Sequence, residues 1–162
     1  MARPPLGRAC AYAREIMPNL IDLPSFSEDG DVRVVIETPR GSRAKFRYEP
    51  EMQTFTLSKS LLVGLTYPHD WGFVPSTTAD DGDPLDIMVI HDAATMPGLV
   101  LACRVIGVLQ IEQRSKNKRE RNDRLFAVPT RSHSEKGLRD VSDLSKPIRE
   151  ELEKVFYRDR RA

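Results

Sequence analysis

Cysteine is scarce, with only Cys10 and Cys103 in 162 residues. Two thiols cannot build a disulfide framework or a thiolate zinc site, and their rarity suits a reducing compartment, so a cytoplasmic location is expected. Net charge is nearly absent too: 25 Lys+Arg against 24 Asp+Glu leave +1, which excludes a global field recruiting nucleic acid or anionic lipid. Any charge-based binding must be local. No apolar run approaches the roughly 18 residues of a membrane span, so a soluble protein without a membrane partner is expected. His69, His91 and His133 are scattered and suggest no imidazole cluster. The sequence also lacks internal repeats, low-complexity tracts and a GxxxxGK[ST] loop, and the missing loop argues against a P-loop nucleotidase.

What is present suits one compact domain, because 40% hydrophobic and 30% charged residues can fill a core and keep a wet surface. Residues 1–30 read as an N-terminal arm: Arg3, Arg8 and Arg14 precede the first acid, Glu15, and a helix is predicted over residues 9–17. The apolar stretch 9–13 is too short for a secretory core. Pro18, Pro24 and the Ser-Glu-Asp-Gly run ending at Gly30 close the arm. The main domain then covers residues 31–162. β-Rich runs are predicted from residue 32 to Glu37, at 45–49 and 54–57 as a hairpin, and at 71–74, 87–90, 99–109 and 125–128, spaced as in a small barrel. Residues 114–124 are strongly polar and read as a loop between two strands. Ser145, Pro147 and the apolar series Ile148, Leu152, Val155 and Phe156 predict one closing amphipathic helix.

The densest chemistry lies at Asp80-Asp81-Gly82-Asp83-Pro84-Leu85-Asp86, four carboxylates in a stretch of seven residues that runs straight into a strand. Like charges so close repel, so either some carboxylates keep a proton or a divalent metal sits between them. All-oxygen donors favour Mg²⁺ or Mn²⁺. A plain Asx-rich turn explains the run alone equally well, since Asp-Gly and Asp-Pro are ordinary turn chemistry; an EF-hand does not, because position 92 is Asp92 rather than Glu. Glu37 at a strand end, Lys45 and Lys59 on the hairpin, and Tyr67 before Pro68 tip the balance toward a phosphate substrate. Metals and ammonium groups would neutralise phosphoryl oxygens while a metal-activated water attacks, which points to phosphoanhydride hydrolysis.

These residues resemble the soluble inorganic pyrophosphatases of the metal-dependent, single-barrel family (family I). Asp81-Gly82-Asp83-Pro84-Leu85-Asp86 matches that family's signature, and Val34 to Pro39, Gly41 to Lys45, Tyr67 to Pro75, Pro97-Gly98, Arg104 to Leu109 and Asp140 to Leu144 resemble its segments in order. The resemblance implies a mainly β fold, a five-stranded OB-like closed barrel with flanking helices. It also implies a Mg²⁺-dependent enzyme, with Mn²⁺ as a substitute, acting on diphosphate in a homo-oligomer such as a hexamer. By position, Asp83 would orient the attacking metal-bridging hydroxide. Asp81, Asp86, Glu37 and Asp123 would serve the metals, and Lys45, Lys59, Tyr67, Arg124 and Arg160 would contact phosphate oxygens.

The likeness has departures. Lys59 stands where the family usually has Arg, and Arg47 where it has Glu, reversing the sign. Trp71 replaces a Tyr, Gln113 falls on a metal-binding Asp with Glu112 beside it, and Asn122 falls on a second acid with Asp123 adjacent. Each lost carboxylate weakens a Mg²⁺ site. The alternative to a working, if slowed, enzyme is therefore a degenerate relative that binds phosphate or another phosphorylated ligand without efficient hydrolysis. The basic run 114–124 raises single-stranded nucleic acid as a third partner, but no aromatic is interleaved for base stacking, so none is expected.

Overall fold

The computed structural model describes residues 18–110, 112–115, 118–121 and 123–159; the expected arm helix at 9–17 lies outside them. In chain order the strands are β1 (Val32–Thr38), β2 (Ala44–Glu49), β3 (Thr54–Ser60), β4 (Asp70–Phe73), β5 (Asp86–Val89), β6 (Val100–Leu109), β7 (Glu112–Ser115), β8 (Lys118–Arg121) and β9 (Arg124–Pro129), followed by helix α1 (Lys146–Asp159). Five of them close a barrel in the order β1-β4-β5-β9-β6, with β6 returning to β1. The expected mainly β, five-stranded barrel is what the chain forms. Every barrel pair is antiparallel except β5 with β9.

Side chains alternate along a strand, so neighbouring residues feed different cores. Val34 and Ile36 of β1 join Val74, Ile87, Val89, Cys103 and Ala127 in one cluster. Val35, between them, packs with Tyr48 and Phe73 under the β2–β3 hairpin. A third cluster of Met88, Ile90, Ile106, Phe126, Val128, Leu144 and Leu152 seats the helix, with Ile148 against it. Among the described residues no helix is long and apolar enough to cross a membrane. Cys103 is fully buried, and that burial pushes its thiol up to about 12.

The described end of the expected arm lies against the barrel. Leu20, Ile21 and Leu23 pack on the Val35–Tyr48–Phe73 cluster, and the Tyr48 hydroxyl donates to Asn19 Oδ1 at 2.8 Å. Close approach is also built in at Gly72, where any Cβ would run into the carbonyl oxygen of Val35. Only glycine lets β1 and β4 come together there.

One expectation fails. The stretch expected as a loop over residues 114–124 contains strand: β7 and β8 pair antiparallel, Glu112 with Arg121 through Ser115 with Lys118. Its polar composition gives no sign of this, because ladder hydrogen bonds join backbone groups whatever the side chains.

A polar cluster is buried at the start of β4. Asp70 is fully buried; it accepts from His91 Nε2 at 2.6 Å and from the Arg40 backbone N–H at 2.6 Å. The Arg40 guanidinium donates to the His91 carbonyl at 3.3 Å. His69, next to Asp70, lies 3.6 Å from Glu151 of the helix, and burial holds its imidazole below the ordinary value.

Candidate active site

A cavity of about 230 Å³ opens where β1, the β2–β3 hairpin and the 79–86 segment meet. Glu37 reaches it because of a β-bulge. Ile36 pairs with Gly72 and Thr38 with Trp71, so Glu37 is the extra residue of β1. Its neighbour Thr38 stays buried and clasps β2, its hydroxyl accepting from the Phe46 N–H at 2.9 Å. Glu37 itself accepts from the Tyr48 N–H at 2.7 Å. Burial raises the proton affinity of this carboxyl and the charge of Asp83 adds to it; the Tyr48 N–H, Lys45 and Arg47 act against them.

Lys45 and Arg47, two apart on β2, sit on one face of the strand, and both line the cavity. Opposite them the acidic segment is held as a turn. Gly82 adopts φ +88°, Asp81 Oδ1 accepts from the Asp83 N–H at 3.2 Å, and Ala79 N donates to the Asp83 carbonyl at 2.7 Å. Thr77 Oγ1 fixes the exit by accepting from the Leu85 N–H at 3.0 Å. The Asx turn is therefore real, and it aims carboxylates into the cavity. Asp81, Asp83 and Asp86 all line it.

Parallel pairing completes the wall. Ile87 of β5 is in register with Leu125 of β9, which sets Asp86 and Arg124, one residue earlier on each strand, side by side. They form an ion pair. The Arg124 guanidinium also lies over the Trp71 ring, 5.6 Å from its centroid, a cation–π arrangement. On the other side Arg47 donates to Asp83 Oδ1 at 3.1 Å. The crowding of acids thus has a solution beyond the protons or metal considered above: two guanidinium groups of the chain itself.

Glu37, Asp81, Asp83 and Asp86 face Lys45, Arg47 and Arg124 across the cavity. The donor set is all oxygen and suits a hard divalent cation in its chemistry. Among the described residues no three such side chains yet converge into a metal-binding group. Lys59 pairs in register with Lys45 on the hairpin and is exposed, Tyr67 is held through its backbone to Gly41 and Ser42, and Asp123 bonds Arg121 at 2.8 Å. None of these three lines the cavity. Arg160, Asn122 and the side chains of Glu112 and Gln113 lie outside the described residues. The sequence placed Arg47 at a family acid position with the sign reversed but gave it no partner; its position two after Lys45 on one strand was the signal that it shares the cavity face.

Acids and cations interleaved around one barrel-side cavity define a site for handling a polyanion. The family profile for inorganic pyrophosphatase matches residues 34–161. The chain is 35% identical over 138 residues to the inorganic pyrophosphatase of a Synechocystis species, covering 85% of this chain and 79% of that one. It is 37% identical over 128 residues to that of Streptomyces coelicolor, with 78% and 76% covered. The crystal structure of inorganic pyrophosphatase from Thermus thermophilus superposes with a TM-score of 0.74 at 33% identity, covering 83% of this chain and 76% of that chain. The chain belongs to the inorganic pyrophosphatase family, and it is an enzyme of the diphosphate-hydrolysing class.

Proposed function

We propose that the chain hydrolyses inorganic diphosphate to two phosphates with Mg²⁺, or Mn²⁺ in its place, through the cavity between β1, β2 and the 79–86 turn. The observation that carries this reading is the gathering of Glu37, Asp81, Asp83 and Asp86 around one space with Lys45, Arg47 and Arg124. Asp81 and Asp86 would hold the cation, with Glu37 at the outer edge and Asp123 as a further acid. Bound there, a divalent ion supplies charge neutralisation and lets water ionise near neutral pH. Asp83 orients the attacking water and takes its proton. The water oxygen bonds to phosphorus, the bridging P–O bond breaks, and its electron pair leaves with the second phosphate. Lys45 and Arg124 neutralise phosphoryl oxygens inside the cavity, and the family resemblance would add Lys59, Tyr67 and Arg160 as further substrate contacts. The reading carries with it a homo-oligomer in the cytoplasm, for which light scattering of the purified chain tests the assembly.

A second reading, binding of phosphate or a phosphorylated ligand without efficient hydrolysis, is favoured by one observation: Asp83 and Asp86 are already tied to Arg47 and Arg124. Phosphate release across a Mg²⁺ series separates the two. Metal-dependent release that Asp83→Ala abolishes supports the enzyme; no release at any Mg²⁺ level, with phosphate still bound, supports the binder.

A further inference from the structure

The two guanidinium groups of the site are held very differently. Arg124 is almost enclosed, its side chain 11% exposed, paired to Asp86 and stacked over Trp71. Arg47 makes one contact of 3.1 Å to Asp83 with both partners open to water, 54% and 59% exposed. An ion pair so exposed contributes little and exchanges readily. Arg124 is a fixed wall, whereas Arg47 is a cation that can change partner.

Its position gives it somewhere to go. Arg47 shares the cavity face of β2 with Lys45. A guanidinium released from Asp83 by an incoming substrate therefore remains beside an ammonium group, where phosphoryl oxygens would collect. Its planar fork can bind two such oxygens at once, which a lysine cannot. While it stays at Asp83, its positive charge repels any divalent ion approaching that side of the cavity.

We propose that Arg47 is a built-in counter-ion of the site: it neutralises Asp83 while the site is empty, turns to the phosphoryl oxygens of bound substrate, and takes the charge-compensating place of one divalent cation. This deepens the diphosphate reading and rests on it. The chain would accordingly work with fewer bound ions than its count of cavity carboxylates suggests, and substrate would release Asp83 for proton transfer as it binds.

The test needs no turnover. Mn²⁺ alone, and inorganic phosphate alone, are titrated calorimetrically into the full chain and into Arg47→Gln, Arg47→Glu and Arg47→Lys, with thermal melts to check that each variant is folded. Arg47→Glu is expected to bind one more Mn²⁺, or to bind Mn²⁺ about tenfold more tightly. Arg47→Gln is expected to lose about tenfold in phosphate affinity. Arg47→Lys should keep wild-type Mn²⁺ binding and lose less phosphate affinity than the glutamine variant. Unchanged Mn²⁺ stoichiometry and affinity in Arg47→Glu, or unchanged phosphate affinity in Arg47→Gln, overturns the proposal. Failure of the wild-type chain to hydrolyse diphosphate would instead count against the function above, and these titrations would still decide the role of Arg47.

Discussion

β4 ends in two polar settings that use the same chemistry for opposite purposes. At its start Asp70 is fully buried and receives the His91 imidazole and the Arg40 backbone, both at 2.6 Å. Near its end Phe73 borders the cavity where Asp83 meets Arg47 across 3.1 Å in the open. Desolvation separates them. A buried hydrogen-bonded carboxylate is costly to remove because its donors are left with neither partner nor water, whereas an exposed ion pair is broken with little loss. The closed cluster can therefore hold the fold, and the open one can release its partners to a ligand.

The sharpest way to break this contrast is to remove one carboxylate from each side. Asp83→Ala is expected to lower diphosphate turnover by about 10²- to 10⁴-fold, the usual worth of a positioned proton acceptor, while its melting temperature stays near wild type. Asp70→Ala should do the reverse, leaving the Arg40 N–H and the His91 imidazole without their acceptor and costing at least about 1–3 kcal/mol of stability in denaturant unfolding. Comparable stability loss in both variants would erase the distinction.

The pH dependence sharpens it further. Burial, with smaller contributions from Arg40 and His91, holds His69 below its ordinary value; Glu151 and Asp70 pull the other way and lose. The unfolded chain then takes up this proton at a higher pH than the native one. Stability from His69 is complete above about 6.5, the unperturbed value, and is lost as pH falls below it. Melting curves from pH 8 to 5 should show that decline, and His69→Gln should flatten it. Smaller still is the effect expected of Arg47→Ala on stability, within about 1 kcal/mol by chemical denaturation. Cys103 offers a control for the closed core: in a Cys10→Ser background, native protein should resist iodoacetamide at pH 8 and react once unfolded, because a thiol pushed up to about 12 offers almost no thiolate.

Much of this was legible in the chain. The alternation Val34, Ile36 and the β-rich runs predicted the barrel strands, Ser145-Lys146-Pro147 predicted the start of the helix, and the 81–86 signature located the turn that faces the cavity. Glu37 and Lys45 were legible as a strand-end acid and a strand cation. What stayed hidden depends on partners distant in sequence. Nothing local says that Asp86 and Arg124 begin strands that run parallel in register, or that Arg47 lies within reach of Asp83. The β7–β8 hairpin was hidden for another reason: its order comes from backbone pairing, which leaves no hydropathy signature.

The parallel seam between β5 and β9 has one more implication. A slip of β9 by two residues would keep every side chain on its own face and preserve an apolar interior, yet it would carry Arg124 roughly 7 Å from Asp86. Such a misthreaded molecule could pass for well folded by circular dichroism while the cavity wall was dismantled. For this chain, quality control by secondary-structure content alone would overlook the error that matters most.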